Sequence, residues 1–238
     1  MRRRRQINTG TINLLFPAAL DRLSGRYSPN DLELCIQHPT QPHPHRGGAG
    51  RGILTLGAPA PYCEEDGLLA EPLIENFRTL ARYNTLANRR LYDACALLPD
   101  AELKKRRLAF FGSIHGTLNH IMVGDRIWLA RFSGEEVPST GLDAILYEDF
   151  EELWRAREAE DARIEAFASE LDEEFLEGTI CYENNEGKLY NDPIDLLVAH
   201  FFNHQTHHRG QVHDMLTQTE VPPPVLDLQH VIRPEPEG

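Results

Sequence analysis

The strongest constraint on this chain lies near its C-terminal end, in LLVAHFFNHQTHHRGQVHDML, residues 196–216. Leu197, Phe201, His204, His208, Gln211 and Met215 recur there at intervals of four, three, four, three and four. That spacing keeps all six on one face of an α-helix, so the stretch is predicted as a single helix. The ends of the stripe are apolar, as a core-facing stripe requires. Its middle is two imidazoles and an amide, and a buried polar group left without a partner costs about 1–3 kcal/mol. A His204/His208 pair on that face therefore needs a reason. Two imidazoles at i, i+4 point the same way and can hold one cation between them. The spacing leaves other pairs open: His200/His204 is also i, i+4, and His204/His207 is i, i+3. Only His204/His208 shares a face with Leu197, Phe201 and Met215. A core reading, in which these histidines bind nothing, stands beside the metal reading. A metal held by protein alone needs at least a third ligand from elsewhere in the fold.

The chain divides at about residue 70. Residues 1–70 hold eight of the 17 glycines and seven of the 16 prolines, with no sustained period, and HPTQPHPHRGGAGRG (38–52) suits neither helix nor strand. This extension is expected to be disordered, or untranslated if the true start lies downstream. It carries eight Arg against six Asp/Glu, a net of +2, so the remainder holds −15 of the total −13. That acidic remainder argues against a nucleic-acid surface. The absence of an apolar run near ~20 residues argues against a membrane span. Cys35, Cys63, Cys95 and Cys181 lie far apart with no CxxC pair, which fits a reducing cytoplasm better than a disulfide framework or a zinc knuckle.

From Glu71 onward the period is helical. Leu73, Phe77, Leu80, Asn84, Ala87, Leu91, Ala94 and Leu98 form a stripe that ends at Pro99. Asn84 interrupts it, with Asn88 one turn on. A buried amide bonded to a neighbouring helix is the simpler account of Asn84; a place beside a metal pocket is the other. A second helix is predicted from about Leu103 to Phe132, packed through Phe110, Ile114, Thr117, Ile121, Gly124, Trp128 and Phe132, and stopped by Ser133-Gly134. His120 borders that face and is the candidate third ligand. His115, roughly 140° away around the helix, cannot easily serve the same site. A third, strongly acidic helix is predicted over Tyr147–Leu171, with Phe150, Leu153, Trp154, Arg157, Asp161, Ile164, Phe167, Ala168 and Leu171 on its packed side. GTICYENNEGKLYND (178–192) reads as a β-hairpin turning at Asn184–Gly187. Asp192 and Pro193 are expected as N-cap and N1 of the fourth helix.

The predicted fold is therefore all-α: a four-helix bundle with a short hairpin before the fourth helix, over residues 71–238. Inside such a bundle, His120 from helix two can meet His204 and His208 from helix four. Three neutral imidazoles suit Zn²⁺ first, or Ni²⁺ or Fe²⁺, and leave a position for water or a thiol. Ligating imidazoles usually donate their outer nitrogen to an acceptor, for which Asn84, Asn88, Asp125, Asn203 and Gln211 are candidates. No HExxH is present, and no pair of Glu-x-x-His helices, which argues against a zincin and a ferritin-like di-iron site.

YNTLAN (83–88), GTLNHIMVGDRIWLARF (116–132) and NHQTHHRGQVHDML (203–216) resemble the DinB family of the DinB/YfiT-like metalloenzyme superfamily, over about Glu71–Arg233. The resemblance implies a four-helix bundle, often dimeric. It implies a metal site on His120, His204 and His208, and, among characterised relatives, thiol-dependent S-transferases and a thiol-dependent isomerase. It thus points to a low-molecular-weight thiol and an electrophile as partners, to a homodimer, and to a damage-inducible cytoplasmic protein. Arg209 is read as an anion-binding group beside a ligand or as a surface charge. The competing expectation is a non-catalytic metal-binding stress-response protein that acts through a partner.

Overall fold

The computed structural model describes residues 70–184 and 186–233. The expectations for residues 1–69 lie outside the described residues. Among those described are seven helices and one two-stranded hairpin. In chain order they are α1 (Ala70–Cys95), α2 (Asp100–Leu103), α3 (Ile114–Ser133), α4 (Phe150–Ser169), α5 (Glu173–Leu176), β1 (Thr179–Glu183), β2 (Leu189–Pro193), α6 (Ile194–Leu216) and α7 (Leu228–Ile232).

Helix α1 packs on α4 and α6, and α3 packs on the same two, so the four long helices enclose one interior. That interior has three zones. One apolar cluster gathers Phe77, Ala81, Leu129, Phe132, Ile164, Ala168, Val198 and Phe201. A second gathers Leu91, Tyr92, Ile114, Leu118, Met122, Leu153, Val212 and Met215. Between them every long helix contributes buried polar residues: Asn84 and Asn88, Asp125, Arg157 and Asp161, Gln205 and Arg209. Along each helix these fall between residues of one cluster and residues of the other. The layer is thus a band across the middle of the molecule.

The helix ends follow local chemistry. Ser113 caps α3, its Oγ accepting from Gly116 N at 2.9 Å. Gly134, in the left-handed region at φ 66°, closes that helix as Ser133-Gly134 predicted. Asp149 caps α4 and Asp172 caps α5 through their carboxylates. The hairpin pairs Thr179–Glu183 antiparallel with Leu189–Pro193. Asn184 Oδ1 accepts from Glu186 N and Lys188 N, both at 2.9 Å, and ties the turn. Helix α7 lies on α1, with Tyr83 donating to the Leu226 carbonyl at 2.7 Å.

Three boundaries depart from expectation. The second long helix starts at Ile114, not Leu103, because Gly112 at φ 73° turns the chain and Ser113 then caps a new helix. Phe110, expected on its packed face, is 88% exposed in the preceding loop. The third long helix is shorter than expected at each end, since the Asp149 cap fixes its start. Finally, Asp192 is not the cap of α6. It belongs to β2 and accepts from Tyr182 Oη at 2.9 Å, while Pro193 takes the cap position without a side-chain bond. Cys95 is buried and free. No helix among the described residues is long and apolar enough to cross a membrane.

Candidate metal centre

Helices α3 and α6 run side by side, and this contact brings the three histidines together. His120 Nε2 lies 3.1 Å from His204 Nε2 and 3.2 Å from His208 Nε2. Among the described residues, these three form the one group of histidine, cysteine or carboxylate side chains whose ligand atoms converge in this way. A tetrahedral ion at 2.0–2.1 Å from each nitrogen would hold its ligands about 3.3 Å apart. The two distances from His120 Nε2 are close to that spacing, and all three ligand atoms lie within 4.8 Å of one another.

The outer nitrogens decide what the inner ones carry. His120 Nδ1 lies 2.7 Å from the Leu142 carbonyl, which can only accept, so Nδ1 bears the proton and Nε2 presents a lone pair. His208 Nδ1 lies 2.9 Å from Gln211 Oε1, with the same consequence. The Gln211 amide nitrogen in turn lies 3.0 Å from His207 Nε2. With Gln211 Oε1 accepting from His208, the Nε2 lone pairs of His120 and His208 face each other across 3.2 Å. A cation between them satisfies both.

Electrostatics agree. Burial, then the neighbouring His208 and His120, pushes His204 down to about 3. Burial pushes His208 down to about 4 against the Gln211 bond, and lowers His120 as well. All three are neutral at physiological pH, the form a metal takes. The walls are shaped to the rings. Phe111 stacks on His120 at 3.7 Å between centroids and meets His208 edge-on at 5.5 Å. Gly124 leaves room for His204: a Cβ there would lie 2.7 Å from its Cε1.

The other candidates are placed as follows. Gln211 is the acceptor for His208, as the stripe suggested. Asn84 donates to Asp161 Oδ1 at 2.9 Å and accepts from Arg209, the buried amide of the simpler account. Asn88 donates to the same oxygen. Asp125 is fully buried and bonds Arg157 and Gln205 rather than a histidine. Asn203 is exposed on the groove between α1 and α6. Arg209 is only 2% exposed, so it is no surface charge; its guanidinium turns to Asn84, Asn88 and Thr206, over the Tyr83 ring. His115 bonds the Tyr147 carbonyl and stays outside the centre. Cys95, held in the second apolar cluster with its thiol pushed up to about 12, offers no nucleophile. Sequence reasoning missed Phe111 and Leu142. Both lie on loops, where no period marks a contact.

With this geometry in hand, comparison with known proteins gives the lineage. The family model described as DinB family matches residues 73–238. The chain belongs to the DinB family. It is also similar to Protein DinB of Bacillus subtilis (strain 168), 28% identical over 149 residues that cover 58% of this chain and 83% of the relative. Within this DinB-family chain, the three-histidine group is a site that could hold a metal ion.

Proposed function

We propose that this DinB-family chain is a divalent-metal-dependent enzyme working at His120, His204 and His208, inside a four-helix bundle formed by α1, α3, α4 and α6. The observation that carries the reading is the convergence of three imidazoles, with His120 Nε2 3.1 Å from His204 Nε2 and 3.2 Å from His208 Nε2. Zn²⁺ is the first choice of ion; Ni²⁺ and Fe²⁺ also suit three imidazoles. Bound there, the ion supplies Lewis acidity and a free coordination position, so that a thiol or water can lose its proton near neutral pH.

The chain's own residues do the rest. Leu142 and Gln211 hold His120 and His208 in the tautomer that presents Nε2 inward. Phe111 covers one side of the centre, stacked on His120 and edge-on to His208. The partners in this reading are a low-molecular-weight thiol and an electrophile, with the chain acting as a homodimer. A non-catalytic metal-binding stress-response role is the second reading. One observation favours it: His120 and His208 are both buried.

The test is metal content followed by turnover. The full chain, purified without a His-tag, is expected to hold near one metal per chain by elemental analysis, and His204→Ala/His208→Ala to hold none. Turnover of the loaded protein with a cellular thiol against a panel of electrophiles supports catalysis. Metal without turnover supports the second reading. No metal after reloading under reducing conditions reduces the three histidines to core residues.

A further inference from the structure

We propose that Gln205 and Arg209 are positioning residues for the histidine centre, fixing the rotation of α6 through the buried polar layer. This rests on the metal reading above. The layer is a chain of contacts that leaves α6 and returns to it. Gln205 Nε2 donates to Asp125 Oδ1 at 2.9 Å on α3. Asp125 Oδ2 accepts from Arg157 Nη1 at 2.5 Å on α4. Arg157 Nη2 lies 2.9 Å from Asp161 Oδ1 one turn on. That oxygen accepts from Asn84 and Asn88 of α1, each at 2.9 Å. Both asparagine oxygens then accept from Arg209, back on α6.

The two points of attachment are one turn apart, and each directly follows a proposed ligand: Gln205 after His204, Arg209 after His208. Neighbouring residues stand about 100° apart around a helix. Holding 205 and 209 against three other helices therefore sets the direction of 204 and 208. At the roughly 5–6 Å radius of helical side chains, a rotation of about 20° moves a ring nitrogen by about 2 Å. A metal–ligand distance tolerates about 0.2 Å. Apolar packing alone does not define rotation that tightly, since neighbouring apolar side chains can exchange places at small cost. Directed bonds to a carboxylate and two amides do define it. Asp125 also lies five residues after His120 on α3, so the same layer references the third ligand.

The experiment uses the full chain and Co²⁺, whose affinity and visible absorption bands report ligand geometry. Gln205→Met and Arg209→Met are compared with wild type and with Leu153→Ala. Leu153→Ala is a core truncation on α4, in the second apolar cluster. Gln205→Met is the mild variant, since it replaces a neutral group by one of equal length and leaves Arg157 on Asp125. The layer variants are expected to bind Co²⁺ at least about tenfold more weakly with altered bands. Leu153→Ala is expected to lose at least as much thermal stability yet keep wild-type affinity and bands. Folded Gln205→Met with wild-type affinity and bands overturns the inference while leaving the metal reading intact. Wild type that binds no Co²⁺ overturns the metal reading, and the inference with it.

Discussion

Two buried polar regions lie within two turns of each other on α3 and α6, and they are built on opposite terms. The charged layer is closed by opposite charges, with Arg157 Nε, Gln205 Oε1 and Arg209 Nε left without a hydrogen-bond partner among the described residues. Two carboxylates face two guanidinium groups, and the amides of Asn84, Asn88 and Gln205 fill between them. The histidine centre is open: its outer nitrogens on His120 and His208 are satisfied, while its inner ones converge on each other. Burial alone does not separate the two, because Asp125 and His208 are both buried. What separates them is charge: the layer sets carboxylates against guanidinium groups, whereas the centre sets three neutral imidazoles against one another. The first arrangement neutralises itself, and the second presents ring nitrogens to a cation.

The sharpest way to break this comparison is to unbalance the layer. Arg157→Leu leaves Asp125 and Asp161 buried without their shared cation. The expected cost is at least about 3–5 kcal/mol, or failure to fold. Chemical denaturation beside Leu153→Ala checks it, and a loss below about 1 kcal/mol, the worth of a surface pair, would mean the layer is not the closed unit described. The reverse operation is to complete the centre. A divalent ion at a hundred times its Kd is expected to add about 2.7 kcal/mol of stability, and nothing in His204→Ala/His208→Ala. Equal shifts in both proteins would place the ion elsewhere.

Protons offer a third lever, and the sign follows from the direction of the shifts. His204 and His208 are pushed from 6.5 to about 3 and about 4, so below pH 6.5 the unfolded chain binds more protons than the folded one. Their contribution is fully present above that pH. It is lost as pH falls toward the folded values, by at most about 1.4 kcal/mol per pH unit for each imidazole. Metal-free protein should thus lose stability between about pH 6.5 and 4, and the double alanine variant should lose less. Identical slopes would remove the histidines from the account.

Much of this was legible in the sequence, for a definite reason. Stripes at four-three spacing marked α1, α4 and α6, and even flagged Arg157 and Asp161 on the buried side of α4. His120, His204 and His208 were legible because each sits on a helix whose face the apolar residues define. Arg209 was not, because a narrow stripe undercounts a helix packed on two sides. Helix α6 touches both α1 and α3, and so buries Phe202, Gln205, Arg209 and Val212 beyond the Leu197–Met215 line. The start of α3 was misplaced because Phe110 continues the stripe in period although it faces solvent; the signal was the Ser113 cap after Gly112. Phe111 and Leu142 reach the centre through loops, and no local pattern reports that.

The smallest expected effect on stability is also the most discriminating. Gly124 is a helix-interior glycine whose absent side chain makes room for the His204 ring. Alanine at such a position is ordinarily worth about 1 kcal/mol in helix propensity. The added methyl would stand 2.7 Å from His204 Cε1, so the ring has to move. In a closed region that collision would appear as lost stability. In an open one, metal-free protein can let an unpartnered ring rotate, and the cost appears only when the ring is required to point inward. Gly124→Ala is therefore expected to hold or raise the melting temperature of the metal-free protein while weakening metal binding by about tenfold. Paired calorimetry and metal titration decide it. A lower melting temperature with unchanged affinity would show that His204 is packed as core, and that the contrast between the two regions fails at this residue.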